Sequence, residues 1–245
     1  MAEGETPPDG GRLYERAQQH VIEMIEGPDY AAGDRIPSER ELAERYRISR
    51  MTMRKAIDKL VARGLLERRG TSGTYIPVPV IRRPITGHMF SHGISEIVRA
   101  CGGVPGSRLL FFEQHEAHSR VAERLNIRTG DPLIVIRRLR TVNDLPFCVE
   151  TTHLPQARVP GLAADDLFGR QSLYALLASR YGIEMGGGHG TISVSAATTQ
   201  EAELLGLRSD SPALIFRAVA NDRQDRPVEY LTSVNHPLRV VFETP

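Results

Sequence analysis

The sequence predicts an α+β protein of two domains: a small helical domain that ends in a β-hairpin, and a larger domain built on an antiparallel sheet. Two observations predict this organisation. Three helical patterns precede two short strand patterns near the N-terminus, and the second half contains two copies of one helix-strand-strand unit. The proline-punctuated stretch PVPVIRRP lies between them and is typical of a linker. We therefore expect domains over 12–77 and 90–243, joined by a linker over 78–89.

The composition is that of an ordinary globular protein. The chain has 245 residues, of which 40% are hydrophobic and 25% charged. No apolar run approaches the ~18 residues that a membrane helix needs. Cys101 and Cys148 fit neither a disulfide framework nor a metal site, and are expected to be small buried residues in a reducing cytosol. We therefore expect a cytoplasmic protein with no membrane segment, no metal and no cofactor.

Three helices are predicted in the first domain. The first covers residues 13–25 and ends at a Gly-Pro pair. Ser38, with Glu41 three residues later, forms the capping-box pattern that begins a second helix over 39–46. A short break follows, and a third helix runs from the Ser49 cap to about residue 63. The Gly-rich hairpin LLERRGTSGTYI comes next. Helix, helix, turn, helix and hairpin form the order of a winged helix-turn-helix.

Basic residues concentrate around the third helix. From Arg45 to Arg69 there are nine Lys or Arg residues against two acidic ones, a local charge of +7 in a chain of net charge +1. The predicted buried stripe consists of Met53, Ala56, Ile57, Leu60 and Val61. Thr52, Arg54, Lys55 and Lys59 lie largely off that stripe, and the small hairpin tip at 69–73 can approach a nucleic-acid backbone. The pattern predicts a helix that enters a major groove, with a solvated helix face as the alternative.

An internal repeat with an offset of 80 residues occupies the second half. Residues 122–150 resemble residues 202–229, and each copy reads as a short helix, a strand, a polar turn and a return strand. Two copies indicate a duplicated domain with an antiparallel sheet and helices against one face. A helix over 172–181 and a strand containing TISVSA complete the predicted elements.

Two arginines in the strand VIRRLRT are the main candidates for ligand chemistry. Side chains alternate along a strand, so Arg138 and Arg140 share one face while Arg137 takes the other. Adjacent arginines repel unless an anion or carboxylate lies between them, and a phosphate or carboxylate ligand would satisfy both. Glu150 and Glu229, which match in the repeat, are the internal candidates for that pairing, or for accepting bonds from sugar or amine groups. Ordinary ion pairs on an exposed sheet face are the alternative.

Other conspicuous patterns indicate little chemistry. MGGGHG at 185–190 lacks the features of a phosphate-binding loop and is predicted to be a flexible turn before a strand. The histidines do not have a metal-site spacing, although His92 could line a ligand site. Neither cysteine has a catalytic motif around it, and no G-x-S-x-G motif is present.

The N-terminal part resembles the DNA-binding domain of the GntR superfamily of bacterial transcription regulators. The similarity rests on P-S-E-R-x-L-A, S-R-x-T-x-R-x-A, L-x-x-x-G and G-x-x-G-T, in that order over 12–77. The resemblance implies DNA contacts at Arg40, Arg50, Thr52 and Arg54, and at Gly70 and its neighbour Arg69 on the wing tip. Arg40 and Arg50 would flank the groove and read guanine or grip phosphate.

The C-terminal part resembles the UTRA effector domain of the HutC subfamily, which is similar to the chorismate lyase fold but acts as a sensor. The similarity rests on RRLRTVNDLPFCVETTHLP, QSLYALLASRYG and LLGLRSDSPALIFRAVANDRQDRPVEY. It implies ligand contacts at Phe90, Ser91, His92, Arg138, Arg140, Glu150, Ser172, Tyr174 and Glu229. The chain departs from the family pattern at Asn143-Asp144, and at NHPLRVVFE, so a cleft rim near Asn235 and His236 would be particular to this protein.

Together these observations predict a ligand-responsive transcription regulator, interpreted as a repressor and not an enzyme. A homodimer would place two winged domains on a pseudo-palindromic operator in double-stranded DNA. The effector would be a small anion: an amino-sugar phosphate, another phosphosugar or a carboxylate. A lyase-like enzyme fused to a DNA-binding domain is one alternative, but the sequence shows no positioned nucleophile or metal. A purely architectural DNA-binding protein is another, and it would need no arginine pair.

Overall fold

The computed structural model describes residues 10–85, 90–168 and 172–243. The chain forms two compact units, which divide between Val78 and Pro79. The first is helical with one small hairpin, and the second is built on a six-stranded antiparallel sheet. The predicted α+β class is therefore confirmed. In the described part, no helix is long and apolar enough to cross a membrane.

The first unit contains three helices and a hairpin in the predicted order. They are α1 (Gly10–Glu26), α2 (Glu39–Tyr46), α3 (Arg50–Ala62), β1 (Glu67–Arg68) and β2 (Thr74–Tyr75). Their shared core includes Ala17, Val21, Leu42, Met53, Ala56, Ile57, Leu60 and Leu66. The predicted stripe of α3 is thus buried, except that Val61 lies at its partly buried margin.

Side-chain caps determine where α2 and α3 begin. The Ser38 hydroxyl accepts from the Glu41 N–H at 3.3 Å, and the Glu41 carboxylate accepts from the Ser38 N–H at 2.7 Å. This reciprocal pair is the predicted capping box. Arg47 ends α2 in the left-handed conformation, at φ 53°. Ser49 then caps α3 by accepting from the Thr52 N–H at 3.1 Å. The short turn between the two helices therefore fixes the first residues of α3 in place.

The second unit contains eight strands and four α-helices among the described residues. Its strands are β3 (Ile81–Pro84), β4 (Pro105–Glu116), β5 (Pro132–Val142), β6 (Leu145–Pro155), β7 (Met185–Ala196), β8 (Pro212–Asp222), β9 (Pro227–Asn235) and β10 (Val240–Glu243). Its helices are α4 (Ile94–Ala100), α5 (Ser119–Leu125), α6 (Leu173–Tyr181) and α7 (Thr199–Leu205). The large sheet has the order β4-β5-β6-β9-β8-β7, and every neighbouring pair in it is antiparallel.

The predicted internal repeat is confirmed, and it is longer than the sequence match indicates. The elements β4, α5, β5 and β6 recur in the same order as β7, α7, β8 and β9, and β6 pairs with β9 where the two copies meet. α7 packs on Leu139, whereas α6 packs on Ile134 and Ile136. Odd and even positions of β5 point to opposite faces. The helices of the two copies, α5 and α7, lie against one face as predicted, since α5 packs on Leu133, and α6 covers the other face, which is also apolar.

Part of the segment predicted as a linker belongs to the second unit. Its residues Ile81–Pro84 form β3, which pairs in parallel with β10. Ile81 is fully buried beside Val240, and Arg83 is only 4% exposed. The linker prediction was wrong for this stretch, because alternate residues of IRRP face inward and pack within the unit. Residues 86–89 of the predicted linker lie outside the described residues.

The glycine-rich stretch at 185–190 is also not the turn that was predicted, because β7 begins at Met185. A Cβ on Gly188 would collide with the Val219 carbonyl oxygen and would lie 2.9 Å from the Phe90 ring. A Cβ on Gly190 would lie 2.9 Å from the Phe216 ring. The glycines therefore let two aromatic rings lie directly against the strand.

Candidate DNA-contacting surface and effector cleft

The start of α3 presents three of the predicted DNA contacts. Arg50 and Arg54 are exposed, and Thr52 is half-buried with its hydroxyl 2.8 Å from that of Ser49. Neither arginine takes part in an ion pair with the described residues. The first turn of α3 contains no acidic residue. Arg50 therefore stands at the positive end of a helix dipole, which is unfavourable until an anion such as a DNA phosphate approaches, and Arg54 follows it one turn later.

The remaining predicted DNA contacts lie on α2 and at the hairpin tip. Arg40 is exposed and donates to Glu44 at 3.0 Å. The Arg69 Nε donates to Glu67 at 2.7 Å. Gly70 is exposed at φ 51°, and a Cβ there would meet open space. Exposed ion pairs of this kind contribute little, about 0–1 kcal/mol, so either arginine can exchange its carboxylate for a phosphate.

A cleft opens on the sheet face that α6 covers. Strands β5, β6, β8 and β9 form its base, and the first residues of α4 and α6 form its sides. Eight of the predicted effector residues line it: Phe90, His92, Arg138, Arg140, Glu150, Ser172, Tyr174 and Glu229. Arg83, Ser95 and Phe216 also line it and were not predicted. The structure thus assembles a single cleft from segments that are far apart in the sequence.

Arg138 and Arg140 project into the cleft from the same face of β5, as their alternation predicts. They are 5% and 2% exposed. One carboxylate oxygen of Glu150 lies 3.7 Å from the Arg138 Nη2 and 3.7 Å from the Arg140 Nε. These separations allow electrostatic attraction but are too long for hydrogen bonds. Within the described residues, the Nε atoms of both arginines have no hydrogen-bond partner. Two guanidinium groups therefore share one carboxylate and keep donors available to a ligand.

Arg140 is held in position by two hydroxyl groups. Its Nη2 donates to the Ser95 Oγ at 2.7 Å, and its Nη1 donates to the Ser107 Oγ at 3.0 Å. Burial and the positive charge of Arg138 lower the pKa of Arg140 to about 10, against the opposing effect of Glu150. Arg140 consequently stays charged at neutral pH, and the cleft remains positive near it.

The prediction that Glu229 matches Glu150 in the repeat was wrong, because Glu150 lies opposite Arg138, whereas Leu231 lies opposite Ala218, the residue 80 positions later. Glu229 is on the same strand as Leu231 and has its own partners. Its carboxylate accepts from the Thr152 hydroxyl and from the Tyr174 phenol, each at 2.7 Å. Burial raises the pKa of Glu229, and these two hydrogen bonds oppose that rise. Burial also raises the pKa of Tyr174 well above its usual value, so the phenol keeps its proton and remains a donor. Glu229 is therefore a fixed acceptor on one side of the cleft.

Arg83 is the charged cleft residue that sequence reasoning missed. It comes from β3, and its Nη1 donates to the Asn235 Oδ1 at 3.2 Å and to the Ser233 Oγ at 3.3 Å. Its guanidinium lies 5.0 Å from the ring centroid of Phe216. Its Nε, like those of the two β5 arginines, has no partner in the described part of the chain. The signal in the sequence was the alternation of IRRP, which places Arg83 on the same face as the apolar Ile81.

The predicted loop Phe90-Ser91-His92 meets the cleft only in part. Phe90 is buried and His92 is exposed, and both line the cleft. Ser91 does not line it, because its hydroxyl donates instead to the Gly186 carbonyl oxygen at 3.0 Å. Ser172 occupies the N-cap position of α6, where its side chain makes no capping bond and faces the cleft.

The prediction that Asn235 and His236 form a rim of the cleft was wrong. Asn235 is fully buried behind Arg83, and its amide donates to the Leu214 carbonyl oxygen at 2.9 Å. His236 is 6% exposed, and its ring nitrogen accepts from the Leu238 N–H at 3.1 Å. Both side chains are used inside the fold and do not line the cleft.

The charges of the cleft are suited to an anion. Three buried arginines face two buried glutamates, so positive charge exceeds negative charge even when both carboxylates are ionised. A phosphate or carboxylate group can accept the guanidinium donors that the protein leaves free. The carboxylate of Glu229 and the phenol of Tyr174 are then available to hydroxyl or amine groups of the same ligand.

Comparison with known proteins places both units in described families. The family of bacterial regulatory proteins named gntR matches residues 13–76, and the UTRA domain matches residues 100–240. The HTH-type transcriptional repressor PhnF of Mycolicibacterium smegmatis is 33% identical over 86% of this chain and 83% of its own length. The repressor NagR of Bacillus subtilis is 28% identical, over 94% and 93%.

A solved crystal structure is also similar to this chain over both units. The crystal structure of PhnF from Mycobacterium smegmatis aligns with a TM-score of 0.67 at 30% identity, covering 94% of this chain and 98% of that one. The similarity therefore extends over both units, and the sequence motifs, the fold and the relatives agree. The chain belongs to the gntR family of bacterial regulatory proteins, among the members that join a winged helix-turn-helix domain to a UTRA domain.

Proposed function

We propose that the chain is a transcriptional repressor whose binding to operator DNA is modulated by a small anionic metabolite held in the cleft. Two of its relatives are named as transcriptional repressors, which supports repression as the direction of control. In this proposal the protein acts in the cytoplasm as a homodimer, and two copies of α3 enter successive major grooves of a pseudo-palindromic operator.

The proposed DNA contacts divide into two kinds. Thr52 and Arg54 contact base edges from the first turns of α3, and Arg50 contacts a base edge or phosphate beside them. Arg40 and Arg69 bind phosphates on either side of the groove, while Gly70 lets the hairpin tip come close to the backbone. The arginines at the start of α3, which form no ion pair with any residue that the structure describes, support this assignment, as does the absence of an acidic residue from the first turn.

The effector site rests on one observation, which is the pair Arg138 and Arg140 around a single oxygen of Glu150. Both guanidinium groups are buried, and neither Nε has a partner among the described residues. Such an arrangement leaves charge and donors unsatisfied, and an anionic group would complete both. Glu229 and Tyr174 would bind the hydroxyl or amine groups of the ligand. Phosphorylated sugars and small carboxylates both meet these requirements.

Effector binding and DNA binding are linked in this proposal. The effector shifts the population between states with different operator affinity, so by reciprocity DNA shifts the affinity for the effector by the same factor. A substitution in one site therefore leaves intrinsic binding at the other site intact but removes the coupling that depends on the lost ligand.

A crossed pair of variants tests the proposal. The probes are glucosamine 6-phosphate, glucose 6-phosphate, inorganic phosphate and citrate, scored by thermal shift, and a duplex selected from a random pool with the wild-type protein. Arg54→Ala is expected to abolish duplex binding while anions still stabilise the protein. Arg138→Ala with Arg140→Ala is expected to bind the duplex normally and to lose the anion response. Normal duplex affinity in the first variant, or unchanged anion affinity in the second, would contradict the assignment.

The same preparations test the rest of the proposal. We infer that the cleft binds its ligand without converting it, so each stabilising anion should be recovered unchanged after long incubation. Loss of the anion and appearance of a product would instead support an enzyme fused to a DNA-binding domain. Sedimentation equilibrium should give twice the mass of one chain, and a monomer would contradict the homodimer.

A further inference from the structure

We propose that Arg83 is a third anion-binding arginine of the cleft and that it reports occupancy of the cleft to strand β3, which leads to the DNA-binding unit. This inference rests on the proposed function, because it assigns a role within the same effector site. It adds a residue and a route that neither the motifs nor the relatives assign.

Arg83 meets the chemical requirement for an anion contact. Its side chain is buried at 4% exposure and lines the cleft together with Arg138 and Arg140. Its Nε has no partner within the described residues, while its Nη1 makes two long hydrogen bonds, of 3.2 and 3.3 Å, to neutral groups. Bonds from a guanidinium to an anion are shorter and stronger than bonds to neutral oxygens. An anion in the cleft therefore competes well for this guanidinium.

The groups that now hold Arg83 can release it without remaining unsatisfied. Ser233 donates its hydroxyl hydrogen to the Asn235 Oδ1 at 3.1 Å. The Asn235 amide also donates to the carbonyl oxygens of Leu214 and Ser233, each at 2.9 Å. These bonds persist when Arg83 moves, so its release does not create a buried polar group without a partner. The side chain can consequently move toward a ligand at low cost.

The position of Arg83 in the chain connects the cleft to the other unit. The first unit ends at Val78, and β3 begins three residues later at Ile81. β3 pairs with β10 in a separate two-stranded parallel sheet, outside the six-stranded sheet. It can therefore shift without breaking a hydrogen bond of the large sheet. Because β3 carries Arg83 and continues directly toward Val78, a pull on this side chain displaces the segment that precedes the strand.

Arg82 provides a matched control on the same strand. It is exposed, points away from the cleft, and forms an ion pair with Glu243 on β10. Arg82→Met and Arg83→Met each remove one arginine from β3 and place the same residue there. Both variants perturb the β3–β10 pair, but only Arg83→Met changes the cleft. Methionine at position 83 also keeps apolar contact with the Phe216 ring, and Arg83→Lys restores the charge without the planar guanidinium.

The experiment uses the full-length protein and the selected duplex. The probes are inorganic phosphate and glucosamine 6-phosphate. Calorimetry measures the affinity for each probe, and gel shift measures duplex affinity with and without saturating probe. Hydrogen exchange follows residues 79–85, where the Ile81 N–H donates to the Arg239 carbonyl oxygen at 2.8 Å. In the wild type, probe binding should alter both duplex affinity and exchange in this segment.

Arg83→Met is expected to bind the probes about tenfold more weakly or worse. Addition of saturating probe to Arg83→Met should change its duplex affinity and its hydrogen exchange at residues 79–85 very little. Arg82→Met should respond to the probe as the wild type does. Arg83→Lys should recover part of the affinity, and it carries the test if the methionine variant does not fold. A cooperative urea unfolding transition of the second unit, as in the wild type, shows that a variant has folded there.

Two results would overturn the role of Arg83 while the proposed function stands. One is wild-type affinity and response in Arg83→Met. The other is weaker binding that still gives the full duplex response and the full exchange change at saturation. If the wild-type protein binds neither probe, the anion cleft itself fails, and the inference falls with it.

Discussion

Replacing Arg138 with methionine is expected to stabilise the unliganded protein and to remove its stabilisation by anions. Arg138 is 5% exposed, and its ion-pair partner is a Glu150 oxygen at 3.7 Å that Arg140 shares. At an effective dielectric constant of about 20, this separation gives an attraction of about 4 kcal/mol. The lost hydration of the guanidinium costs several kcal/mol, and repulsion from Arg140 adds to that cost. The attraction therefore does not offset the cost of burial.

Methionine removes the charge but fills much of the same space, and Glu150 keeps Arg140 as a partner. Exchange of a complete buried ion pair for well-packed apolar groups can stabilise a protein by about 1–4 kcal/mol, whereas removal of one partner is destabilising when the other charge is left uncompensated. Here Arg140 still compensates Glu150. We expect a gain of about 1–2 kcal/mol, which corresponds to a rise in Tm of about 2–8 °C for a protein of this size.

The assay is urea unfolding with and without inorganic phosphate. Phosphate at a hundred times its Kd should add about 2.7 kcal/mol to the wild-type free energy of unfolding and almost nothing to that of Arg138→Met. Arg137→Met is the matched control, since Arg137 points to the opposite face and bonds to Glu201 at 3.0 Å. That variant should lose about 1 kcal/mol and keep the phosphate response. If Arg138→Met is destabilised as much as the control, Arg138 is a structural residue and the reasoning is refuted.

Two further predictions concern the framework around the cleft. Gly188→Ala should lower the free energy of unfolding in urea by about 2 kcal/mol, because the added methyl group meets the backbone of β8 and an aromatic ring. In the control variant Gly187→Ala the methyl group meets open space, and the loss should be less than about 1 kcal/mol. Equal losses would contradict the packing argument. Burial favours a higher pKa for Asp222, but hydrogen bonds from Arg226 and Arg158 outweigh it and hold the pKa at about 2, below the usual 3.8. This carboxylate therefore contributes stability above pH 3.8 that is lost as the pH falls through 2. Asp222→Asn should cost about 2 kcal/mol at pH 7 and about half as much at pH 3, and a cost that does not change with pH would rule out the ionised carboxylate as the cause.

The first unit could be predicted almost completely because its signals are local. The Ser38 and Glu41 capping pair, the Ser49 cap and the apolar stripe from Met53 to Leu60 each act within a few residues. Caps and helical periodicity can be read directly from such spacing. The prominence of the basic block around α3 is likewise a property of composition, so the predicted DNA surface needs no knowledge of distant contacts.

The strands and the duplication of the second unit could be predicted, but the pairing of its first strand with its last could not. The repeat and the alternation of Arg138 and Arg140 depend on periodicity, and both are present in the structure. The assignment of Ile81–Pro84 to a linker failed because a proline such as Pro84 is equally typical of a loop and of a short edge strand. Only pairing with β10, more than 150 residues away in sequence, makes this stretch a strand.

The sequence by itself determined the two-domain plan, the helices and hairpin of the first unit, the duplicated sheet and the face that the β5 arginines share. These features follow from spacing, caps and charge over short distances. Only the tertiary structure decided the membership of the cleft. It brought Arg83 in from a predicted linker, turned Ser91 toward a carbonyl group, and buried Asn235 behind the arginine. A cleft is assembled from strands and helix ends that meet through long-range pairing, and no local pattern specifies which polar side chains the fold itself will use.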